Sequence, residues 1–374
     1  MNKVKSNRIG LQLPILWGAL HGINDWMAGF MLASFGFSHA PKIGVFMLMV
    51  YAIIGFGGQL PIGMWLDATK KFRRFSSIAL ALLIASPICC MVNIYAGILV
   101  AGFASAFVHV TGGAISLKSC NDKIGPLGLF TAPGVLGLAL GTMSAGVSNF
   151  WLMVPLLFVC VIAYLLFQKS FVIRVENIQA KTSNKQVLDS HDWVMLGILL
   201  TVTLRSLLYD IIQQVSQNWQ FGLLILGISA FAGKIIGGFL ADKMGWKNWV
   251  YLTLPLAFVL LQFGRENIYM LGFGIACLQS SVPISLLLMR RSMPLYPATS
   301  SAMVLGVGIA VAGLPMYVVD HRHFIAGWYG VAGVTISLLA MFFLFWVMKK
   351  GTQQLLNDPV IGKSVTTTVV SQTQ

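Results

Sequence analysis

The chain has 374 residues, of which 57% are hydrophobic and only 10% are charged. So few charged residues cannot cover a water-soluble surface of this size, which excludes a soluble protein and indicates a membrane protein. The formal net charge of +14 does not indicate nucleic acid binding, because the basic residues lie in short loops between apolar segments.

Apolar stretches long enough to cross a bilayer, about 20 residues each, recur along the whole chain. They predict an all-α membrane protein with twelve transmembrane helices in two pseudo-symmetric six-helix bundles. The predicted helices, numbered 1 to 12 below, span residues 11–35, 44–66, 76–92, 94–117, 126–148, 150–170, 193–216, 219–241, 248–264, 267–289, 298–319 and 325–348. The first stretch is too long for a cleaved signal and carries Asp25 in its middle, so we interpret it as helix 1.

Polar segments divide the chain into four parts. Residues 1–170 form the predicted N-terminal six-helix bundle, and residues 193–350 form the C-terminal one. Residues 171–192, rich in Ser, Asn, Gln and charges, are the predicted cytoplasmic linker. Residues 351–374 are a predicted flexible cytoplasmic tail.

The distribution of basic residues predicts the topology. With the N-terminus in the cytoplasm, 20 basic residues lie inside and three outside, while two lie within helices. The positive-inside rule therefore favours a multi-pass protein with both termini in the cytoplasm.

An internal repeat ends helices 2 and 8. Residues 58–67 and 233–242 each close on an aspartate, with one glycine four residues and another nine residues before it, and a basic loop follows. Such a duplication in a very apolar chain is typical of a secondary transporter built from two similar halves.

The repeat has a mechanical interpretation. Gly63 and Gly238 would let a helix of the other bundle approach closely. Asp67 and Asp242 would then receive the positive N-terminus of that helix, or basic loop residues, and hold the cytoplasmic side shut. The alternative is that both aspartates are simply solvated. The predicted cytoplasmic gate comprises Gly63, Asp67, Arg73, Arg74, Gly238, Asp242, Lys243 and Gly245.

Inserting a charged side chain at the centre of a bilayer costs roughly 2.5–3.5 kcal/mol. In this chain, strongly polar residues at membrane depth occur mainly on every third helix. If each bundle consists of two three-helix repeats, helices 1, 4, 7 and 10 surround a central cavity. The predicted substrate and proton pathway comprises His21, Asn24, Asp25, His109, Arg205, Tyr209, Asp210 and Gln279.

Asp25 and Arg205 are the predicted centre of this pathway. Each lies about 18 Å from the predicted cytoplasmic end of its helix, so we expect an ion pair across the cavity. In one hypothesis Asp25 exchanges a proton, and Arg205 holds either an anionic substrate group or Asp25. In the other, the pair only fixes how the bundles meet.

Three further residues are less determined. His109 either joins the pathway or hydrogen-bonds a neighbouring helix. Lys234 either snorkels towards the cytoplasm or pairs with an acid, and the sequence does not decide between the two. Asp210 is expected close to the outer surface, where water solvates it.

The sequence predicts no metal, no cofactor and no enzymatic activity. The five cysteines have no metal-binding spacing and are expected to be packing residues. No phosphate-binding loop or hydrolase motif occurs, so transport would not use ATP.

Residues 238–247, Gly-Phe-Leu-Ala-Asp-Lys-Met-Gly-Trp-Lys, resemble the loop motif of the major facilitator superfamily, Gly-x-Leu-x-Asp-(Arg/Lys)-x-Gly-x-(Arg/Lys). The first copy is degraded, since Ala68 replaces the basic residue after Asp67 and Lys70 replaces the second glycine. On this comparison the gating role of Asp242 ranks above that of Asp67.

More specifically, the chain is similar to the bacterial subgroup that contains the fosmidomycin-resistance exporters. The similar segments are residues 21–25 (His-Gly-Ile-Asn-Asp), 102–109 (Gly-Phe-Ala-Ser-Ala-Phe-Val-His), 204–206 (Leu-Arg-Ser) and 281–283 (Ser-Val-Pro), with Pro294, Gly306 and Gly308.

The resemblance implies a monomeric transporter in the bacterial cytoplasmic (inner) membrane, with a small-molecule substrate, protons and the lipid bilayer as partners and no nucleic acid. We predict proton-coupled efflux of a small organic solute by alternating access. Two alternatives stay open: a proton-coupled import symporter of an organic anion, and a non-transporting membrane scaffold or sensor.

Overall fold

The computed structural model describes residues 2–38, 41–145, 190–216, 219–264 and 266–318. All regular structure in these residues is helical. Predicted helices 6 and 12, the tail and most of the linker lie outside them.

The other ten predicted helices are present, and their predicted numbers are kept here. Helices 1 to 5 span Asn2–Ser38, Pro41–Thr69 in three segments, Phe72–Val92, Ile94–Ser119 and Gly125–Ser144. Helices 7 to 9 span Ser190–Val215, Gly222–Met244 and Trp246–Phe263. Helix 10 consists of Ile268–Gln279 and Val282–Ser292, and helix 11 runs from Pro297 to Val318 in three segments.

Seven of the described helices are long and apolar enough to cross a membrane. They are helices 2, 3, 4, 5, 7, 8 and 10, with helix 10 taken as Ile268–Ser292. Helix 11 contributes a shorter apolar stretch, Pro297–Gly313. Helix 1 is longer than any of these, but polar residues interrupt its apolar character.

Side-chain caps explain two helix boundaries inside apolar sequence. Asn93 is extended between helices 3 and 4, and its side-chain oxygen accepts a hydrogen bond from the Ala96 amide at 3.1 Å. Asn267 caps helix 10 in the same way, accepting from the amides of Tyr269 and Met270. An asparagine at the N-cap satisfies amides that would otherwise lack partners, so one polar residue is enough to separate two apolar helices.

Three helices predicted as continuous are interrupted. Helix 10 breaks at Ser280 and Ser281, whose hydroxyls donate to the carbonyls three residues earlier, and Pro283 follows without an amide hydrogen. Helices 2 and 11 each contain one π-helical stretch, Ile53–Gly57 and Met303–Val307. These are the positions where the expectation of uninterrupted helices is wrong.

Glycines bring helix 5 into backbone contact with helix 1. A Cβ atom on Gly137 would collide with the carbonyl oxygen of Gly22, and one on Gly141 with that of Trp26. In a bilayer the hydrophobic effect does not drive helices together, so close packing of this kind supplies much of their attraction.

Substituting Gly137 with alanine tests this packing. We expect Gly137→Ala to lower the unfolding temperature in detergent micelles, since overpacking a tight contact costs about 1–3 kcal/mol. Gly36→Ala is the matched control, because nothing lies within 4 Å of a Cβ atom there, and alanine is the better helix former. Equal or higher stability of Gly137→Ala would contradict the close contact between helices 1 and 5.

Candidate functional site

Two histidines flank Asp25 in the interior of the helix bundle. His21 lies one turn before Asp25 on helix 1, with its Nε2 atom 3.1 Å from Oδ2 of Asp25. His109 comes from helix 4, with its Nε2 atom 3.8 Å from Oδ1 of Asp25. The two imidazole rings meet edge to face with centroids 4.3 Å apart. We call these three residues the His–Asp cluster.

Backbone carbonyls fix the tautomer of each histidine. The Nδ1 atom of His21 lies 3.0 Å from the carbonyl oxygen of Phe130, and that of His109 lies 2.8 Å from the carbonyl oxygen of Ser105. A carbonyl oxygen only accepts, so each Nδ1 carries the hydrogen. In a neutral imidazole, Nε2 is then an unprotonated acceptor, and both Nε2 atoms face a carboxylate.

The arrangement of the cluster is therefore suited to a cation. Three groups with lone pairs meet in a small space, since their ligand atoms all lie within 4.8 Å of one another. A proton on either Nε2 atom would replace the repulsion between the lone pairs of that nitrogen and the carboxylate with a charge-assisted hydrogen bond. A metal ion would also fit this spacing. Asn24 donates from Nδ2 to Oδ1 of Asp25 at 2.8 Å and so orients the carboxylate.

Helix 5 leaves space for the cluster at Gly134. A Cβ atom on this residue would collide with Nε2 of His21 and would lie 2.6 Å from Oδ2 of Asp25. Glycines of helix 5 therefore allow both the close packing against helix 1 and the geometry of the cluster.

The predicted ion pair between Asp25 and Arg205 is wrong for this structure. Within the described chain the carboxylate of Asp25 has the two histidines within 4 Å, and Arg205 is not among its ion-pair partners. Helix depth predicted that the two charges lie at the same level. It did not predict which side of helix 1 faces helix 4, and His109 occupies that side.

Arg205 is nevertheless buried inside the bundle. Its exposed fraction is 3%, and its Nε and Nη1 atoms have no hydrogen-bond partner among the described residues. One turn further along helix 7, the hydroxyl of Tyr209 is also buried and has no partner in the same part of the chain.

Lys234 points into the helix bundle, and among the described residues it pairs with no acid at contact distance. Its Nζ atom donates to the carbonyl oxygen of Thr131 on helix 5 at 3.2 Å. It is close enough to Asp25 and Arg205 to interact electrostatically with both. The sequence had identified this lysine without assigning it a contact.

Asp210 and Gln279 lie apart from the cluster. Asp210 is partly buried on helix 7, and Gln279 is buried at the break in helix 10. In the part of the chain that the structure describes, neither forms a hydrogen bond or ion pair with His21, Asp25 or His109.

At one end of the bundle, Asp67 and Asp242 each bind the first turn of a helix. Asp67 accepts from the amides of Ala298 and Thr299 at 3.1 and 2.7 Å and from the Thr299 hydroxyl at 2.8 Å. Asp242 accepts from the amides of Ile124 and Gly125, both at 2.8 Å. Helices 2 and 8 are thereby joined to the N-termini of helices 11 and 5. We call this the basic end, because Lys70 follows the last residue of helix 2 and Lys243 lies in the last turn of helix 8.

Hydrogen bonding and burial order the two aspartates differently from the motif, while the ranking of their gating roles stays a prediction. Asp67 accepts three hydrogen bonds and is 7% exposed, whereas Asp242 accepts two and belongs to an exposed residue position. The contact needs a carboxylate facing a helix N-terminus, and it does not need the basic residue or second glycine that the first repeat has lost.

The other predicted gate residues fall into two groups. Gly63 and Gly238 allow close contacts: a Cβ atom on Gly63 would lie 2.9 Å from the Ala298 carbonyl oxygen, and one on Gly238 would lie 3.2 Å from the Gly125 Cα atom. The other four, Arg73, Arg74, Lys243 and Gly245, lie at exposed positions.

Two interhelical contacts were not predicted. Arg291 donates to Asp122 from Nη2 at 2.6 Å and from Nε at 3.2 Å, in a bidentate pair at the basic end. The hydroxyl of Ser301 on helix 11 donates to the carbonyl oxygen of His109 at 3.3 Å. Both pairs join segments more than 150 residues apart in the sequence, and no local pattern identifies them.

Comparison with solved structures shows the same fold in several transporters. FucP in the outward conformation aligns with a TM-score of 0.64 at 12% identity, over 92% of this chain and 98% of FucP. A variant of the E. coli fucose:proton symporter FucP aligns with a TM-score of 0.63 at 9% identity, over 92% and 98% of the two chains. The human organic anion transporter MFSD10 (TETRAN) aligns with a TM-score of 0.60 at 14% identity, again over 92% and 98%.

Sequence comparison gives a family but no individual relative. No curated protein sequence matches the chain significantly. The model of the Major Facilitator Superfamily matches residues 15–264, which is more than half of the chain. The chain therefore belongs to the Major Facilitator Superfamily of membrane transporters, and its fold is the twelve-helix fold of that family.

Proposed function

We propose that this transporter couples the movement of a small organic solute to protons, and that the His–Asp cluster is its proton site. The observation that carries the proposal is the orientation of the histidines. Both Nδ1 hydrogens donate to backbone carbonyls, so both Nε2 atoms present lone pairs to the Asp25 carboxylate. Such an arrangement is stabilised by a proton and destabilised without one.

The charges around the cluster favour a proton over a metal ion. The groups that face Asp25 are His21 on its own helix, His109 on helix 4, and Lys234 on helix 8 at longer range. Lys234 and the neighbouring Arg205 already make the region positive. A proton adds one positive charge there, whereas a divalent metal ion adds two, and excess buried charge is costly in a bilayer.

The contacts at the basic end support a gate. Asp67 and Asp242 join helices of residues 1–170 to helices of residues 193–350, the two bundles that we propose to move against each other. Opening that side would break both contacts and expose four helix-terminal amides. Closing it would restore them, so each carboxylate stabilises one of two alternating states.

Export is the direction that the resemblance to the fosmidomycin-resistance exporters favours. Import of an organic anion with protons is the second candidate, and the unpartnered guanidinium of Arg205 favours it. The structural neighbours described as a fucose:proton symporter and an organic anion transporter support proton coupling and anion transport as activities of this fold.

Neutralising Asp25 tests the proton site. Asp25→Asn should abolish gradient-driven solute transport while leaving solute exchange, because the cluster then has no carboxylate to hold the proton. The measurement uses proteoliposomes that contain pyranine, a pH-sensitive dye, with acid gradients imposed in both directions. A mixture of labelled sugars, amino acids and organic acids serves as the probe, and the direction of accumulation distinguishes export from import.

Glu266→Gln, a neutralised acid at an exposed position, is the control and should behave as the parent. Both variants must elute as single monodisperse species. Accumulation by Asp25→Asn equal to that of the parent, with the same pH dependence, would show that Asp25 is not the proton site.

Neutralising the gate aspartates should slow turnover more than it weakens solute binding. Asn keeps one carbonyl acceptor but loses the charge that interacts with the helix N-terminus, an interaction of about 0.3–2 kcal/mol. Asp67→Asn should have the larger effect, because Asp67 accepts more hydrogen bonds and is more buried than Asp242. Transport rates and dissociation constants of both variants and of Glu266→Gln provide the check, and a double variant with the parent rate would exclude the gate.

A further inference from the structure

We propose that the buried face of helix 7 that carries Arg205 and Tyr209 binds an oxyanion of the transported solute, either a carboxylate or a phosphate-type group. We further infer that the oxyanion and a proton bind cooperatively and so move in the same direction. This inference rests on the proposed proton-coupled transport and develops its second candidate, since symport driven by an inward proton gradient is import and not export. It adds the binding residues and the sign of the coupling.

Within the described residues, the guanidinium of Arg205 has no counter-ion. It is 3% exposed, and its Nε and Nη1 atoms are buried with no hydrogen-bond partner there. A buried guanidinium keeps its charge, and leaving its donors unsatisfied is costly. We infer that the transported solute supplies the partner.

Tyr209 provides a second unsatisfied group on the same face. It follows Arg205 by four residues, so the two side chains lie one above the other on helix 7. Its hydroxyl is buried without a partner. A carboxylate or phosphate group has several acceptor oxygens, and it can accept from the guanidinium and the phenol together.

Among the described residues, no acid forms an ion pair with Arg205. Asp25 is held by His21 and His109, and Asp210 lies five residues after Arg205, about 140° away around the helix. Lys234 is close enough to Arg205 to interact with it electrostatically. A negative charge on the solute would be attracted to both cations.

The sign of the coupling follows from the same charges. A proton on the His–Asp cluster cancels the net negative charge of the cluster, which leaves the neighbouring cations less compensated. The attraction for an anion then increases, and by reciprocity a bound anion favours the proton. Cooperative binding of this kind produces symport, whereas antiport needs competition between the proton and the solute.

The experiment measures ligand protection of the purified full-length protein in detergent micelles. Sodium lactate, inorganic phosphate and sodium methylphosphonate are titrated against sodium chloride at equal ionic strength, and unfolding is followed by tryptophan fluorescence. Neutral lactamide and cationic choline are the comparison probes. We expect at least one of the three oxyanions to raise the unfolding temperature, with no effect of lactamide or choline.

The variants assign the binding to helix 7. Arg205→Gln should weaken oxyanion binding about tenfold or more, and Arg205→Lys less, since lysine keeps the charge without the planar donors. Tyr209→Phe should weaken binding by a smaller factor. The matched controls are Arg290→Gln at the basic end and Tyr269→Phe at an exposed position, both with parental binding.

The pH dependence tests the coupling. Lactate, whose carboxylate is ionised at both pH 6 and pH 8, should bind more tightly at pH 6. The affinity of Asp25→Asn for lactate at pH 8 should equal that of the parent at pH 6. Protection that persists in Arg205→Gln, equal protection by lactamide, or no protection by any oxyanion overturns the anion site.

The outcomes separate this inference from the proposed function. Oxyanion binding through Arg205 that is independent of pH and unchanged in Asp25→Asn overturns the coupling and leaves the anion site. Proton-driven transport of a neutral solute, by a protein that no oxyanion protects, overturns the anion site and leaves proton coupling intact.

Discussion

The arrangement of helix 5 determines much of this structure. Its N-terminus is held by the carboxylate of Asp242, and the carbonyl oxygens of Phe130 and Thr131 receive His21 and the Lys234 ammonium. Only six residues, about 9 Å of helix, separate Gly125 from Thr131. A displacement of helix 5 therefore changes the gate contact, the tautomer-fixing bond of His21 and the position of Lys234 together. Glycines make this possible, because they allow helix 5 to contact helices 1 and 8 through the backbone.

Helix 11 has an equivalent position on the other side of the bundle. Asp67 binds its first turn, and one turn later Ser301 donates to the carbonyl oxygen of His109. Each histidine of the cluster is thus connected to a helix whose N-terminus is held by a gate aspartate. A π-helical stretch follows Ser301 in helix 11 and precedes Asp67 in helix 2, so local irregularities lie next to these contacts. In the proposed mechanism, this arrangement gives a physical route by which a proton near Asp25 biases the basic end, since both depend on the same two helices.

The sequence predicted what depends on distance along a helix and missed what depends on rotation around it. Apolar length identified the ten described helices, and the repeat identified Asp67 and Asp242 as residues at one end of the bundle. Rise per residue placed Asp25 and Arg205 at one depth. The partner of Asp25 depends on which side of helix 1 faces helix 4, and helices with little amphipathic pattern carry no signal for that in one sequence. The breaks at Ser280 and Ser281 and the π-helical stretches were missed for a related reason, because hydropathy does not report backbone hydrogen bonding.

The two gate aspartates show that the family motif contains more residues than the contact between a carboxylate and a helix N-terminus requires. The second repeat matches the family pattern more closely, yet the first makes the fuller contact. The pattern also includes Lys243 and Gly245, which lie at exposed positions at the end of helix 8. The contact itself needs one carboxylate, one glycine that admits the neighbouring helix, and the free amides of a helix start. The first repeat retains all three, so its lost residues changed the loop and left the interaction between the helices intact.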